Sequence, residues 1–162
     1  MRHYLAVIFL LTLILPVAAR ADWQYTKWGM TKSEVEAACT SNQVQTKEGR
    51  YSNGTKAKYE LEGSYKAGSF DFSAQFYFSG EGKLNMVSLV LQGDKGYELE
   101  QSLLAKYGND YRKEFLAGST ALQMYRLIWR VESEGNVVSF IRLLDRYSVQ
   151  YEPLKTDERD KL

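Results

Sequence analysis

The stretch "SFDFSAQFYF", Ser69 to Phe78, alternates apolar and polar side chains without interruption. In an extended chain, every second side chain points to the same side, which gives one apolar set: Phe70, Phe72, Ala74, Phe76 and Phe78. This alternation is typical of a strand with one face in the core and one face toward water. The stretch therefore predicts a sheet with one strongly apolar face.

The next segment, "KLNMVSLVLQ" (83–92), follows a glycine-rich turn and continues the pattern. Pairing Phe78 with Lys83 places Phe72 opposite Leu89 and brings the apolar residues of both strands to one side. We therefore predict an antiparallel hairpin in this register.

A second pair of strands is predicted in the other half of the chain. "LQMYRLIWRVE", ending at Glu132, and "VVSFIRLL", starting at Val137, flank a glycine-containing turn. Pairing Glu132 with Val137 places Trp129 opposite Phe140. "YSVQY" (147–151) predicts the last strand, and "NG" near residue 53 predicts a further hairpin turn.

Two amphipathic helices complete the pattern. Thr31 and Glu34 have the spacing of a capping box, and Cys39 falls on the apolar face of the helix that follows. A second helix is predicted over Gly96–Tyr107, with Gly108 at its C-terminal cap. The chain therefore predicts an α+β fold, with two helices packed on an antiparallel sheet in the order helix, strands, helix, strands. This order raises the hypothesis of a diverged tandem repeat.

The N-terminus predicts export. A basic start, an apolar run over residues 5–15 and the triplet Ala-Arg-Ala are typical of a secretory signal peptide over residues 1–21, cleaved after Ala21. The apolar run is shorter than the roughly 20 residues of a membrane-spanning helix. We expect a periplasmic protein of bacterial type, with one α+β domain over 22–154 and a charged flexible tail over 155–162.

Composition disfavours several classes of function. The chain has 21 Lys and Arg against 20 Asp and Glu, and loss of Arg2 and Arg20 leaves 19 against 20, a net charge near −1. Nucleic acids and anionic membranes attract basic surfaces, so neither is expected as a partner. The single histidine is His3, within the predicted signal peptide. The mature chain therefore has no imidazole for a catalytic triad or a metal site.

Four segments resemble a group of small exported bacterial proteins: "WGMTKSEVEAA", "LLAKYG", the strand bearing Trp129, and "YSVQY". The architecture of that group resembles the BamE/OmlA-like outer-membrane assembly lipoproteins and the β-lactamase inhibitor proteins. The resemblance implies helices packed on an antiparallel sheet and implies no catalytic residue. This chain differs from the lipoproteins, because Cys39 lies 18 residues beyond the predicted cleavage site. We therefore do not expect a lipid anchor.

The candidate partner surface is the other face of the second hairpin. It combines two arginines with aliphatic residues: Arg126, Ile128, Arg130, Ile141 and Leu143. Such a face either is covered by another part of the fold or binds a partner, since arginine and aliphatic clusters are common in protein interfaces. A second candidate is a protruding loop over 62–69, with Tyr65 and Lys66 at its centre.

Three functions remain open from the residues. The leading hypothesis is a non-enzymatic periplasmic domain that binds a protein or an envelope component, with no catalytic, cofactor-binding or metal-binding residue. The alternative is a carboxylate-based hydrolase, and the third is an inhibitor of a secreted enzyme. The hydrolase has weak support, because Glu34 and Glu36 diverge on a helix. Asp71 and Glu60 are a further candidate pair, because residues on neighbouring strands can face each other across a sheet.

The position of Cys39 on the apolar face predicts a slow reaction with alkylating reagents. Burial keeps a thiol protonated and inaccessible, so iodoacetamide should modify the native chain far more slowly than the chain unfolded in urea. Mass spectrometry measures both rates. Rapid labelling of the native chain would contradict a buried Cys39.

Overall fold

The computed structural model describes residues 22–49, 58–116 and 124–155. The helices are α1 (Lys32–Ser41) and α2 (Gly96–Tyr107). The strands are β1 (Asp22–Trp23), β2 (Thr26–Lys27), β3 (Thr46–Glu48), β4 (Lys58–Ala67), β5 (Phe70–Phe78), β6 (Leu84–Gln92), β7 (Arg112–Phe115), β8 (Tyr125–Val131), β9 (Asn136–Leu143) and β10 (Arg146–Pro153). The predicted signal peptide, the hairpin turn near residue 53 and residues 156–162 of the predicted tail lie outside the described residues.

Eight of these strands form one antiparallel sheet, in the order β3-β4-β5-β6-β10-β9-β8-β7. The last strand lies at the centre, where Val149 pairs with Leu89 of β6 and with Phe140 of β9. β1 and β2 form a separate two-stranded ribbon. The prediction of an α+β protein with an antiparallel sheet is confirmed.

One hydrophobic core lies between the sheet and both helices. Val35 and Cys39 of α1 and Leu99 and Leu103 of α2 belong to the same buried cluster as the inward residues of the sheet. The largest fully buried side chains of the sheet are aromatic: Trp129, Phe76 and Phe140. Each such burial removes apolar surface from water and contributes roughly 1.5–3 kcal/mol to stability. The helices are therefore held to this face of the sheet by apolar packing.

The predicted helix boundaries agree with the structure. The Thr31 backbone N–H donates to Glu34 Oε2 (2.7 Å), and the Glu34 backbone N–H donates to Thr31 Oγ1 (3.4 Å), so the capping box is present. α2 spans Gly96–Tyr107 and is followed by Gly108 at φ +80°. Cys39 is fully buried, and burial raises the pKa of its thiol.

The register of the first hairpin differs from the prediction by two residues. Phe72 pairs with Leu91, whereas the sequence pattern predicted Leu89. The turn is closed by Phe78 and Leu84, and a β-bulge follows, because Tyr77 pairs with Met86. A shift of two residues keeps every side chain on its predicted face, so the alternating pattern could not detect it.

The second hairpin also differs from the prediction by two residues, in the opposite direction. Trp129 pairs with Val138, whereas the prediction was Phe140. A 3-10 turn removes Glu132 from the strand, and Gly135 at φ +63° returns the chain. Asn136 thereby enters β9, where its side-chain oxygen accepts a hydrogen bond from Trp28 Nε1 (2.9 Å).

The prediction of a loop over 62–69 is wrong. β4 continues to Ala67, and Tyr65 is a half-buried strand residue whose ring centroid lies 5.1 Å from that of Trp23. Lys66 is exposed in the strand, with its Nζ 3.5 Å from an oxygen of Asp71. Gly63 is a strand position, where a Cβ would lie 3.0 Å from Val44 Cγ1.

A close contact between α2 and the sheet generates a stability prediction. A Cβ on Gly96 would overlap the ring of Tyr147, which stacks on Phe140 with ring centroids 6.2 Å apart. Gly96→Ala should therefore lower the free energy of unfolding by about 1–3 kcal/mol, measured by urea denaturation. Gly80→Ala is the matched control, because a Cβ there meets nothing within 4 Å. Equal losses in the two variants would contradict the contact.

Candidate partner-binding face

The face of the sheet that points away from the core carries the predicted partner surface. We call it the outer face, and its central residues are Arg126, Ile128, Arg130, Ser139, Ile141, Leu143 and Gln150. Ile128 and Ile141 are each 9% exposed, yet neither belongs to the core cluster that contains the buried residues of both helices. Both helices therefore pack on the opposite side of the sheet, although Ile128 and Ile141 are themselves largely covered.

The ladder between β8 and β9 brings the predicted residues together. Arg126 pairs with Ile141, and Arg130 pairs with Val137, while Ile128 lies between the two arginines along β8. Leu143 follows Ile141 on the same face of β9 and is 44% exposed. All five predicted residues thus lie on one continuous patch of two neighbouring strands.

A row of polar residues lies beside this patch. Ser88, Gln150 and Ser139 are successive cross-strand neighbours on β6, β10 and β9, and Ser139 pairs in turn with Ile128. Ser88 and Ser139 are only 3% and 1% exposed. Both serines are therefore covered by the larger side chains around them.

The two arginines have unused hydrogen-bonding capacity. Arg126 Nη2 donates to Gln150 Oε1 (2.8 Å), whereas its buried Nε has no hydrogen-bond partner. No carboxylate of the described residues lies within 4.0 Å of either guanidinium. Glu114 pairs with Arg126 along the ladder, but its carboxylate binds Arg112 Nη2 at 2.9 Å. The exposed guanidinium of Arg130 can therefore receive a carboxylate from outside in the fork geometry that guanidinium favours, whereas at Arg126 only the nitrogens other than the buried Nε can do so.

The outer face ends at an exposed, strained turn. Leu144, which connects β9 to β10, is 53% exposed and has φ +58°. The left-handed conformation costs roughly 1–2 kcal/mol for a residue with a Cβ, and Asn or Gly usually takes this position in tight hairpins. An exposed leucine in a strained turn destabilises the free chain and is typical of a contact site. Leu143 and Leu144 together extend the apolar patch to the edge of the molecule.

The structure separates Asp71 from Glu60, the carboxylate pair considered for the hydrolase alternative. The ladder partner of Asp71 is Lys66, six residues along β4 from Glu60, which is a separation of about 20 Å. Glu100 Oε2 accepts a hydrogen bond from the Tyr125 hydroxyl (2.7 Å). Within residues 22–49, 58–116 and 124–155, no three His, Cys, Asp or Glu side chains are placed to hold a metal ion.

Comparisons with protein-family models, curated proteins and solved structures find no match to this chain. In the part of the chain that the structure describes, no helix has the length and apolar character to cross a membrane. The function must therefore be inferred from the geometry of the outer face and of the core.

Sequence reasoning missed the residues that β10 contributes to this face. Gln150 and Ser148 lie beside β9 because the last strand is inserted at the centre of the sheet. The alternation in "YSVQY" predicts which side chains share a face, but it does not predict which strands flank them. Only the long-range pairing places the Arg126 guanidinium next to Gln150.

Because Arg126 has no ion pair with a described residue, its replacement should have a small effect on the free energy of unfolding. Arg126→Met loses one hydrogen bond to Gln150 but also removes the desolvation of a charged group, so the free energy of unfolding should fall by about 1 kcal/mol or less. Leu127→Ala, the neighbouring residue on the core side, should cost about 2–5 kcal/mol because Leu127 is 1% exposed. Urea denaturation compares the two variants. A loss above about 2 kcal/mol for Arg126→Met would assign Arg126 a structural role.

Proposed function

We propose that this chain is a non-enzymatic interaction domain of the periplasm, and that its outer face binds a partner protein. The observation that carries the proposal is the outer face of β8 and β9, where Arg126 and Arg130 have no carboxylate partner among the described residues and where β9 ends at the exposed Leu143 and Leu144. The expected partner presents acidic and aliphatic side chains. Its carboxylates would pair with the exposed nitrogens of the two guanidiniums, and its apolar residues would cover Leu143 and Leu144.

Export with cleavage after Ala21 is proposed from the sequence of the first 21 residues. Trp23 is 3% exposed and contacts Tyr65, Phe76 and Tyr151. Cleavage after Ala21 would leave this core residue at the second position of the mature chain. The first strand of the mature domain would then begin directly at the new N-terminus.

The order of the strands supports a diverged tandem repeat. α1 is followed by β3 to β6, which are neighbours in the sheet, and α2 is followed by β7 to β10, which are also neighbours. The two sets of four strands meet at β6 and β10. We propose that both halves derive from one helix-and-four-strand unit, and that the chain is related to the group of exported proteins that it resembles.

The partner proposal is tested by photo-crosslinking in the periplasm of producing cells. A photoreactive residue at Leu143 should give one discrete adduct. The same residue at Tyr97, which is 69% exposed on α2, is the matched control and should not give this adduct. Introducing Arg126→Glu and Arg130→Glu together should reduce the Leu143 adduct by at least about tenfold, because like charges repel the partner's carboxylate. Lys83→Glu, in an exposed turn, should leave it unchanged.

Two results would contradict the proposed function. One is a Leu143 adduct that persists at full yield in the doubly charge-reversed variant. The other is the absence of any discrete adduct from Leu143 while the folded chain accumulates in the periplasm. Circular dichroism and urea denaturation of each variant establish that the altered chains remain folded.

A further inference from the structure

A cavity of about 270 Å³ lies on the core side of the sheet, between α2 and the inward residues of the strands. Its interior is apolar. The buried residues that line it, each less than 10% exposed, are Trp23, Phe72, Leu89, Leu99 and Leu103. A volume of this size would hold about nine water molecules at about 30 Å³ each, and hence a small organic molecule of roughly ten to fifteen non-hydrogen atoms. Water finds few partners on such walls, whereas an apolar group fills them favourably.

The opening of the cavity is polar. Gln24, Ser102 and Lys106 are exposed residues that also line it. The ammonium of Lys106 lies 4.6 Å from the centroid of the Tyr107 ring, and no described carboxylate lies within 4.0 Å of it. The cavity therefore has an apolar interior. Among its lining residues, Lys106 is the one cation, and it has no ion-pair partner among the described residues.

Two tyrosines contribute to the lining of the cavity. Tyr65 and Tyr151 line the cavity, and burial raises the pKa of both phenols. The positive charge of Lys106 acts in the opposite direction and lowers the pKa of each. At neutral pH both phenols are therefore neutral, so Lys106 supplies the charge of the lining.

We propose that this cavity binds a small organic anion with an apolar body, such as an aryl or short-chain carboxylate. The apolar body would lie against Trp23, Leu99 and Leu103, and the anionic group would lie at the opening beside Lys106. The charge pattern selects this class, because a cationic ligand would meet Lys106 and a fully polar ligand would be desolvated by the aromatic interior. The cavity lies across the sheet from the outer face, so this binding does not depend on the proposed protein partner.

The test uses 4-phenylbutyrate and its uncharged analogue 4-phenylbutanol with the mature chain. Binding is followed by isothermal titration and by the NMR signal of the Trp23 indole N–H. The carboxylate should bind in the range of about 10 µM to 1 mM and shift the Trp23 signal, and the alcohol should bind about fivefold more weakly. Lys106→Met keeps the apolar stem and should remove this fivefold preference. Lys83→Met, in an exposed turn, is the matched control and should retain it.

A second variant separates cavity binding from nonspecific adsorption. Ser102 is exposed at the opening of the cavity, so a larger side chain there does not enter the core. The ring in Ser102→Phe should obstruct the opening and weaken binding of both compounds at least about tenfold. The proposal is overturned by any of three results in folded protein: no binding of 4-phenylbutyrate at 10 mM, equal binding of the alcohol to the unaltered chain, or binding that Ser102→Phe leaves unchanged. The results of the Leu143 crosslinking experiment do not affect this outcome.

Discussion

The pairing of β10 with β6 is the contact on which both faces of the sheet depend. Four residues of each strand form this ladder, from Ser148 opposite Val90 to Tyr151 opposite Val87. It joins the four strands that follow α1 to the four strands that follow α2. The contact requires residues near the end of the chain to pair with residues near its middle, so its formation carries the entropy cost of closing a long loop. Apolar burial on the core side must offset that cost.

The same ladder creates the two surfaces to which we assign function. On the outer face, it places Gln150 beside Arg126 and between Ser88 and Ser139. On the core side, it places Tyr151 beneath Trp23 and α2, where the residues of both halves enclose the cavity. An insertion of β10 at any other position would separate these groups. Partner binding and ligand binding therefore share one structural origin, although they occur on opposite sides.

Local signals predicted local structure well. The capping box at Thr31 and the glycine at 108 gave the helix boundaries, and alternation gave the inward faces of β5, β6, β8 and β9. Alternation does not determine register, because the bulge beyond Tyr77 and the 3-10 turn before Gly135 each preserve the faces. The short polar strands β3 and β7 carry no apolar pattern and were not predicted. The outer arginine patch was predicted as a set of residues, whereas its contact with Gln150 and the cavity depend on where α2 and β10 pack.

The central position of β10 is tested most directly by native-state hydrogen exchange of its backbone amides. A terminal strand at a sheet edge would fray and exchange through local opening. If β10 is the centre of the sheet, the slowest amides of Ser148 to Tyr151 should exchange only through global unfolding, with a free energy equal to that from urea denaturation. Exchange of all four amides as fast as those of the edge strand β3 would contradict the insertion of β10 between β6 and β9.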